Sequence, residues 1–294
     1  MIITELTPQV IGKKLGKNLY NASGNLLLRK GVEINSHYYE HFKQQGYQSI
    51  YLLNNADGEI ESYAQLLPER FHSTCPTVLS RIFRNLLSDN KKKAVEGKDE
   101  LIALAESILL NVNCHNKNAH CILDLKTPKH YLYQHSINVA AYSVLLAERL
   151  NYSQPKKLSL VLASLLHDIG MLFIDSNIVN KTTRLEKEEF EVVKEHTVVG
   201  FRHLVGHCSF DGLSSVASVQ HHERYDGMGY PRKIEGEAIH EYSRIITLLD
   251  FFDAWTSDRP HRRLHSIEKA VEQIKNDEGA FDPAIVEAFL ELFE

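Results

Sequence analysis

Seven histidine and aspartate residues, spread between positions 135 and 250, constrain the fold of this chain more than any other feature. They are His135, His167, Asp168, His196, His221, His222 and Asp250. They fall on five segments predicted to be helical, and five helices can bring them to one cavity if they pack as a bundle. The carboxyl two-thirds of the chain is therefore predicted to be all-α.

The helix that carries His135 is predicted from residue spacing. From about Lys129 to Leu150, apolar residues recur every three or four positions, and His135 falls on the same stripe. A histidine there faces the protein interior, either as a core residue bonded to a carbonyl or as a metal ligand. The next predicted helix, about Pro155 to Gly170, ends with His167-Asp168, an adjacent imidazole and carboxylate that can approach one metal centre.

The donor types narrow the chemistry. Imidazoles and carboxylates without thiolates suit iron, manganese or zinc. Asp168 is the best candidate to bridge two ions, since a carboxylate has two oxygens where histidine offers one donor at a time. Two ions about 3.5–4 Å apart clamp the attacking and leaving oxygens in phosphoester cleavage. The pattern favours hydrolysis centred on His167 and Asp168, with no protein nucleophile needed.

Composition excludes several other classes of protein. The 294 residues are 43% apolar with a net charge of -5, so a real core can form but no global basic field exists for long nucleic acid. The longest apolar stretch, roughly Leu158 to Leu166, is about half of the ~20 residues needed to cross a bilayer, so no membrane insertion is expected. No secretion signal is visible at the amino terminus, which favours a cytoplasmic location.

Four scattered cysteines are predicted to be reduced, because they are too few to form a disulfide framework. The cluster from Cys114 to Cys121 also contains two histidines and is an alternative zinc site. Its spacing fits no common zinc finger or ribbon.

The chain is predicted to have three parts. Residues 1–60 alternate short apolar runs with turn signals, which is typical of a small β-rich module, and one helix is expected from Asn35-Ser36 to Gly46. Residues 61–115 have helical periodicity and are interpreted as a connector. Residues 116–294 form the predicted catalytic domain.

The ordered ligand set, together with Gly227-Met228-Gly229-Tyr230-Pro231, resembles the HD-GYP family of cyclic-dinucleotide phosphodiesterases. The resemblance covers about Tyr131 to Arg263. Lys194 to Gly200 matches the family's ligand histidine followed four residues later by glycine, and Asp250 to Arg262 matches a second family stretch. The resemblance implies a mainly α protein, an all-α HD-type helical bundle with a small β-rich N-terminal domain, holding two divalent ions, most readily iron or manganese.

The same resemblance assigns roles to individual residues. It makes all seven residues named at the outset metal ligands. It places Asp253, Arg259 and Arg262 beside the substrate, where guanidinium groups can meet phosphate oxygens. Tyr230 is expected to pack against a base or an adjoining protein. Read without the family, the arginines are a surface cluster and the glycine-rich loop is an ordinary turn.

Three functions follow from the resemblance. The first is metal-dependent hydrolysis of cyclic di-GMP to linear pGpG, with or without further cleavage to GMP. The second is a cyclic-dinucleotide sensor or scaffold with weak or no turnover, which recruits partners such as diguanylate cyclases through Gly229-Tyr230-Pro231. The third is a phosphodiesterase for cyclic GMP-AMP.

Two positions depart from the family pattern. Met171 replaces a lysine that often follows the His-Asp-x-Gly element and helps to hold a phosphate, which bears on substrate affinity and activity. Tyr131 stands where some members have a glutamate that binds a third ion. A phenol is a poor ligand for a hard divalent ion at neutral pH, so two ions are expected.

Overall fold

The computed structural model describes residues 2–20, 25–44, 47, 49–53, 66–114, 131–181, 183–257, 266–277 and 279–293. Its amino-terminal part is a small module of two antiparallel strand pairs and one helix. Strand β1 (Ile2–Glu5) pairs with β4 (Ser49–Leu52), β2 (Leu19–Tyr20) pairs with β3 (Leu26–Leu28), and helix α1 spans Ser36–Gln44. This agrees with the predicted β-rich module and its single helix.

The module has its own apolar core. Val10, Leu15, Ile34, Phe42 and Ile50 are almost fully buried in it, so the helix packs against the strands. No residue of the described bundle helices belongs to this cluster.

The rest of the described chain is helical, as predicted. The helices are α2 (Glu69–Leu86), α3 (Lys91–Asn111), α4 (Tyr131–Arg149), α5 (Gln154–Leu166), α6 (Ser176–Val179), α7 (Lys187–Gly206), α8 (Gly212–Gln220), α9 (Glu241–Thr256), α10 (Ile267–Asn276) and α11 (Pro283–Leu290). Short 3-10 helices at Ile169–Phe173 and Gly236–Ala238 join some of them.

Helix α4 lies at the centre of the bundle and contacts α2, α5 and α9. Its residues from Gln134 to Ala147 are all buried, which a surface helix with one apolar face would not allow. Tyr142 of α4 meets Phe252 of α9 edge to face at 5.2 Å, and Phe252 meets Phe289 of α11 at 5.1 Å. These aromatic contacts fix α4, α9 and α11 relative to one another.

One apolar cluster runs from Leu66 to Phe289. It includes Leu79 of α2 and Leu101 of α3 together with the helices of the carboxyl two-thirds. The predicted division between residues 61–115 and 116–294 therefore does not coincide with a break in the core, and α2 and α3 pack as members of the bundle. That residues 61–115 and 116–294 form two separate units remains a prediction.

No described helix combines the length and apolar character that a membrane crossing requires.

Candidate metal centre

All seven candidate ligands come together in the structure. They form two adjoining groups whose ligand atoms lie within 4.8 Å of one another, namely Asp168, His196, His221 and His222 in the first and His135, His167 and Asp250 in the second. Residues 115 positions apart in sequence thus share one site, as the bundle prediction required.

Helix interiors supply three of the ligands and helix ends supply four. His135, His196 and Asp250 lie within α4, α7 and α9, on faces that point into the bundle. His167-Asp168 follow the last residue of α5, and His221-His222 follow the last residue of α8. The predicted helix from Pro155 to Gly170 is therefore too long, because the chain tightens into a 3-10 helix after Asp168.

A contact between two glycines sets the distance from His167-Asp168 to α7. A Cβ atom on Gly170 would lie 1.9 Å from the carbonyl oxygen of His196 and 3.0 Å from the backbone nitrogen of Gly200. A Cβ on Gly200 would lie 2.6 Å from the hydroxyl of Ser218. Only glycine permits backbones to approach this closely, so these two positions bring the 3-10 helix against α7 and hold His196 beside Asp168.

The buried histidines are oriented by their Nδ1 atoms. His167, His196 and His221 each donate from Nδ1 to a backbone carbonyl, that of Ser164 at 2.7 Å, Val193 at 2.6 Å and Ala217 at 2.8 Å respectively. A carbonyl can only accept, so each of these rings carries a proton on Nδ1, and a neutral ring in this tautomer presents a lone pair on Nε2. Such bonds fix the tautomer that binds a metal.

Both carboxylates span the two groups. Asp168 Oδ1 lies 3.3 Å from His196 Nε2 and 3.4 Å from His221 Nε2, while its Oδ2 lies 3.6 Å from His167 Nε2. Asp250 has Oδ1 3.1 Å from His135 Nε2 and Oδ2 3.8 Å from His222 Nδ1. The geometry expected for Asp168, one oxygen toward each group, is present in Asp250 as well.

Protonation states also suit cation binding. Burial lowers the pKa of His167 to about 4 and holds the pKa of His222 well below its usual value, so both rings are neutral at pH 7. Burial would raise the pKa of Asp168, but the surrounding imidazoles, His167 first, outweigh it and keep that pKa well below its usual value. The carboxylate is therefore charged.

His135 shows the opposite shift. Burial would lower its pKa, but hydrogen bonds to Asp250 and Asp253 outweigh burial and raise the pKa to about 9. The pKa of Asp250 is held below its usual value, against the effect of burial, chiefly by the same bond to His135. A metal ligand must release such a proton, so ion binding at this histidine displaces it.

The donor set fits divalent metal ions. The Nε2 atoms of His196 and His221 are 3.2 Å apart, and each ring keeps its proton on Nδ1. The two Nε2 atoms, which are the metal-binding atoms of these rings, therefore turn toward each other beside the negative charge of Asp168. A cation between these groups satisfies all three at once.

Asp253 lies behind the centre rather than in the cleft. Its carboxylate is fully buried and accepts from His135 Nδ1 at 2.6 Å and from Asn138 Nδ2 at 2.8 Å. From the sequence, Asp253 was predicted to contact the substrate, whereas the structure places it behind the candidate ligands. The structure instead gives Asp253 the place of a carboxylate that orients a ligand histidine.

Five of the candidate metal ligands line a cleft of about 1140 Å³, namely Asp168, His196, His221, His222 and Asp250. Tyr131, Met171 and Tyr230 line it, as does an apolar wall that includes Phe251 and Trp255. Met171, directly after the His-Asp-x-Gly element, thus faces the cleft.

Tyr131 packs beside His135 and lies one turn before it on α4. Its ring stacks on the ring of His135, with centroids 5.9 Å apart and an interplanar angle of 8°. This contact places a phenol ring, and no carboxylate, one turn before His135.

Three basic side chains also line the cleft, Lys194, Arg224 and Lys233. Arg224 is held by Asp226 at 2.8 Å and by Asp277 at 3.1 Å. Lys194 pairs with Glu191 at 2.7 Å. These cations were not singled out from the sequence, where each resembles an ordinary surface charge.

The glycine-rich loop shapes one side of the cleft. A Cβ on Gly229 would lie 2.3 Å from the backbone nitrogen of Arg224, so the loop packs directly on the segment after His222. The Tyr230 ring lies 4.8 Å from the His222 ring and meets Phe190 edge to face at 6.3 Å. The amine of Lys194 lies 5.4 Å from the centre of the Tyr230 ring. Tyr230 is therefore a wall of the cleft next to the ligands.

Some predicted site residues lie outside the described part of the chain. These are Arg259 and Arg262, and also Cys121 with the two histidines of the alternative zinc cluster. Their roles remain predictions.

The fold and the candidate ligand cluster define a mainly α protein whose helical bundle is built around a candidate divalent-metal centre. The family model of the HD domain matches residues 81–285. The chain belongs to the HD domain family, and the predicted membership of its HD-GYP group is confirmed by its relatives.

Two curated relatives each match more than half of this chain. A cyclic di-GMP phosphodiesterase of Pseudomonas aeruginosa is 34% identical over 187 residues, 64% of this chain and 45% of that protein. A 3'3'-cGAMP-specific phosphodiesterase of Vibrio cholerae is 38% identical over 163 residues, 55% of this chain and 35% of that protein. The chain thus spans less than half the length of these relatives.

A solved structure shares the whole fold. An HDG"Y"P protein of Bdellovibrio bacteriovorus superposes with a TM-score of 0.61 at 17% identity, covering 99% of this chain and 97% of that chain. At this identity the likeness concerns the fold alone.

Proposed function

We propose that this protein is a metal-dependent phosphodiesterase that hydrolyses cyclic di-GMP to linear pGpG. The observation that carries the proposal is the convergence of seven imidazoles and carboxylates, five of which line a cleft. Three of the imidazoles hold a proton on Nδ1 by a bond to a carbonyl. Relatives named as cyclic di-GMP phosphodiesterases support the substrate.

The geometry supports a role as metal ligand for each of the seven residues. His135, His167 and Asp250 would hold one ion, and the group around Asp168 would hold the second, with Asp168 and Asp250 reaching both. Bound divalent ions activate water and stabilise charge on phosphoryl oxygens. In our proposal they are iron or manganese, since open positions and redox-tolerant nitrogen and oxygen donors suit both.

The cleft fits a cyclic dinucleotide. Its volume of about 1140 Å³ exceeds the ~300–1,000 Å³ that is usual for small-molecule sites. Tyr230 and Trp255 present aromatic surface on which a base can stack. Lys194 and Lys233 offer positive charge to phosphates, which compensates for the uncharged Met171. Arg259 and Arg262 stay in the proposal as further phosphate contacts.

A second candidate substrate is 3',3'-cyclic GMP-AMP. The observation that supports it is the likeness to relatives named as 3'3'-cGAMP-specific phosphodiesterases, one of them 38% identical over 163 residues. The sensor or scaffold alternative is supported by Met171. A diguanylate cyclase partner at the Gly229-Tyr230-Pro231 loop and a cytoplasmic location also remain parts of the proposal.

Product analysis tests the proposal. The full chain is loaded with Mn²⁺ or Fe²⁺ and incubated with cyclic di-GMP, cyclic GMP-AMP and cyclic di-AMP, and the products are identified by chromatography and mass spectrometry. His167→Ala serves as the control that removes one ligand. We expect linear pGpG from the wild type and none from the variant. Binding of a cyclic dinucleotide with no product under either metal would favour the sensor alternative.

A further inference from the structure

A buried polar chain connects helix α2 to the metal ligand His135. Asn138, one turn after His135 on α4, donates from Nδ2 to Asp253, which in turn accepts from His135 Nδ1. Because the amide nitrogen of Asn138 faces a carboxylate, its oxygen must point the other way. That oxygen lies 2.8 Å from Nε2 of His72, a residue of α2.

His72 makes a polar contact with Asn138 in addition to packing in the core. Its side chain is 9% exposed and lies among buried groups, where an imidazole without a partner would be costly. Gln134, on the same face of α4, has its side-chain amide 2.7 Å from His72 Nε2 and 3.2 Å from the Asn138 oxygen. Two side chains from different helices thus converge on one amide oxygen.

We infer that His72 is a positioning residue for the metal centre, which acts through Asn138 and Asp253 to fix the ring of His135. The amide of Asn138 can turn about its last bond, and its orientation decides whether Asp253 receives a hydrogen bond. In the tautomer with its proton on Nε2, with the Gln134 amide turned so that its oxygen accepts from the same nitrogen, His72 donates to the Asn138 oxygen. It then holds the Asn138 amide in the orientation that supports Asp253. The inference rests on the proposed role of His135 as a metal ligand.

The expected effect has a scale. Replacing a group that orients a metal ligand costs roughly 10–100-fold in metal affinity. His72 acts through two intervening side chains, so we expect the lower end of that range, about tenfold, at the ion held by His135. Asn138→Ala, one step nearer, should cost more. The two effects should be non-additive, since both residues act through the same carboxylate.

The experiment compares variants of the full chain by Mn²⁺ binding, without any substrate. His72→Phe removes the donor and keeps a ring of similar size. His72→Gln restores a donor, because the glutamine amide nitrogen reaches about as far from the backbone as Nε2. Cys75→Ala is the matched control, since Cys75 is also buried, lies one turn later on α2 and belongs to the apolar core.

Equilibrium competition with a chelator gives the affinities, and electron paramagnetic resonance separates a coupled Mn²⁺ pair from a single ion. We expect His72→Phe to weaken one ion about tenfold and lose the pair signal at limiting Mn²⁺, His72→Gln to recover most of it, and Cys75→Ala to bind as the wild type does. Should His72→Phe fail to fold, His72→Asn, whose amide is one bond shorter than glutamine's, makes the same comparison with His72→Gln.

Wild-type Mn²⁺ affinity in His72→Phe would overturn the inference, as would equal weakening in Cys75→Ala, which would point to helix packing. Failure of the proposed function has a different appearance. A chain that hydrolyses no cyclic dinucleotide but binds Mn²⁺ in a His72-dependent way keeps this inference and loses the function. A chain that hydrolyses a cyclic dinucleotide but whose Mn²⁺ affinity does not depend on His72 keeps the proposed function and loses this inference.

Discussion

Replacing Gly170 with alanine should separate the two halves of the metal centre. The added Cβ would lie 1.9 Å from the carbonyl oxygen of His196, whereas contacts under 3.0 Å are essentially never seen. The oxygen belongs to the backbone and the position of a Cβ is fixed by the backbone that carries it, so no side-chain rotation can relieve the contact. The 3-10 helix or α7 must therefore move by at least 1.1 Å, the difference between those two distances.

That displacement acts directly on the ligands. His167 and Asp168 lie within three residues of Gly170, and Asp168 Oδ1 is 3.3 Å from His196 Nε2. Misplacement of reacting groups by about 1 Å costs on the order of 100-fold in rate. Overpacking of this kind also costs about 1–3 kcal/mol of stability, which a domain of this size tolerates. We expect a folded protein that hydrolyses cyclic di-GMP about 100-fold more slowly.

Gly206→Ala is the matched control. Gly206 ends the same helix that carries His196, and a Cβ there would meet nothing within 4 Å. Gly200→Ala should be intermediate, because its closest contact at 2.6 Å is a serine hydroxyl that can rotate. Initial rates, Mn²⁺ content and thermal unfolding are measured for all three. A Gly170→Ala rate within twofold of the Gly206→Ala rate would refute the reasoning.

Three further outcomes are expected. Asp168→Ala should leave the chain folded but reduce hydrolysis by on the order of 100-fold or more, with a parallel loss of Mn²⁺ by elemental analysis, because it removes a carboxylate that reaches both groups; full activity at undiminished metal content would exclude the role. Met171→Lys should tighten cyclic di-GMP binding by roughly 10–100-fold, since a charge-assisted contact in the cleft contributes about 1.5–3 kcal/mol; unchanged affinity by calorimetry would mean that position 171 does not meet a phosphate. The wild type should bind two Mn²⁺ ions and Tyr131→Glu a third, because the variant replaces a phenol by a carboxylate one turn before His135; three ions in wild-type crystals by anomalous scattering would contradict this.

Much of the ligand cluster could be predicted from the sequence because its members carry unusual chemistry at regular positions. His135 falls on a buried stripe, and the pairs His167-Asp168 and His221-His222 are adjacent in sequence. Helical periodicity indicates which way such side chains face, and a bundle brings inward faces together. The all-α character of the bundle followed from the same spacing.

The supporting contacts could not be predicted in the same way. Asp253 was expected at the substrate, but its orientation depends on how α9 packs against α4, which periodicity does not specify. Asn138 is a polar residue on an apolar stripe, and a buried amide requires a hydrogen-bond partner, so the sequence indicates that such a partner exists. The partner, His72, lies 66 positions away on a helix interpreted as a connector. Pairing between distant helices is a property of the packed core.

The amino-terminal module and the helical bundle each bury their own apolar side chains. Between them, Asn18 and Tyr20 of the module donate hydrogen bonds to Glu69, at 2.8 and 3.0 Å. Separate cores mean that each part keeps its cooperative unit, so denaturant should melt the chain in two transitions with distinct midpoints. If one core substitution is made in the module and another in the bundle, their effects on the free energy of unfolding should then add. Such independence allows either part to accumulate sequence changes while the other retains its stability.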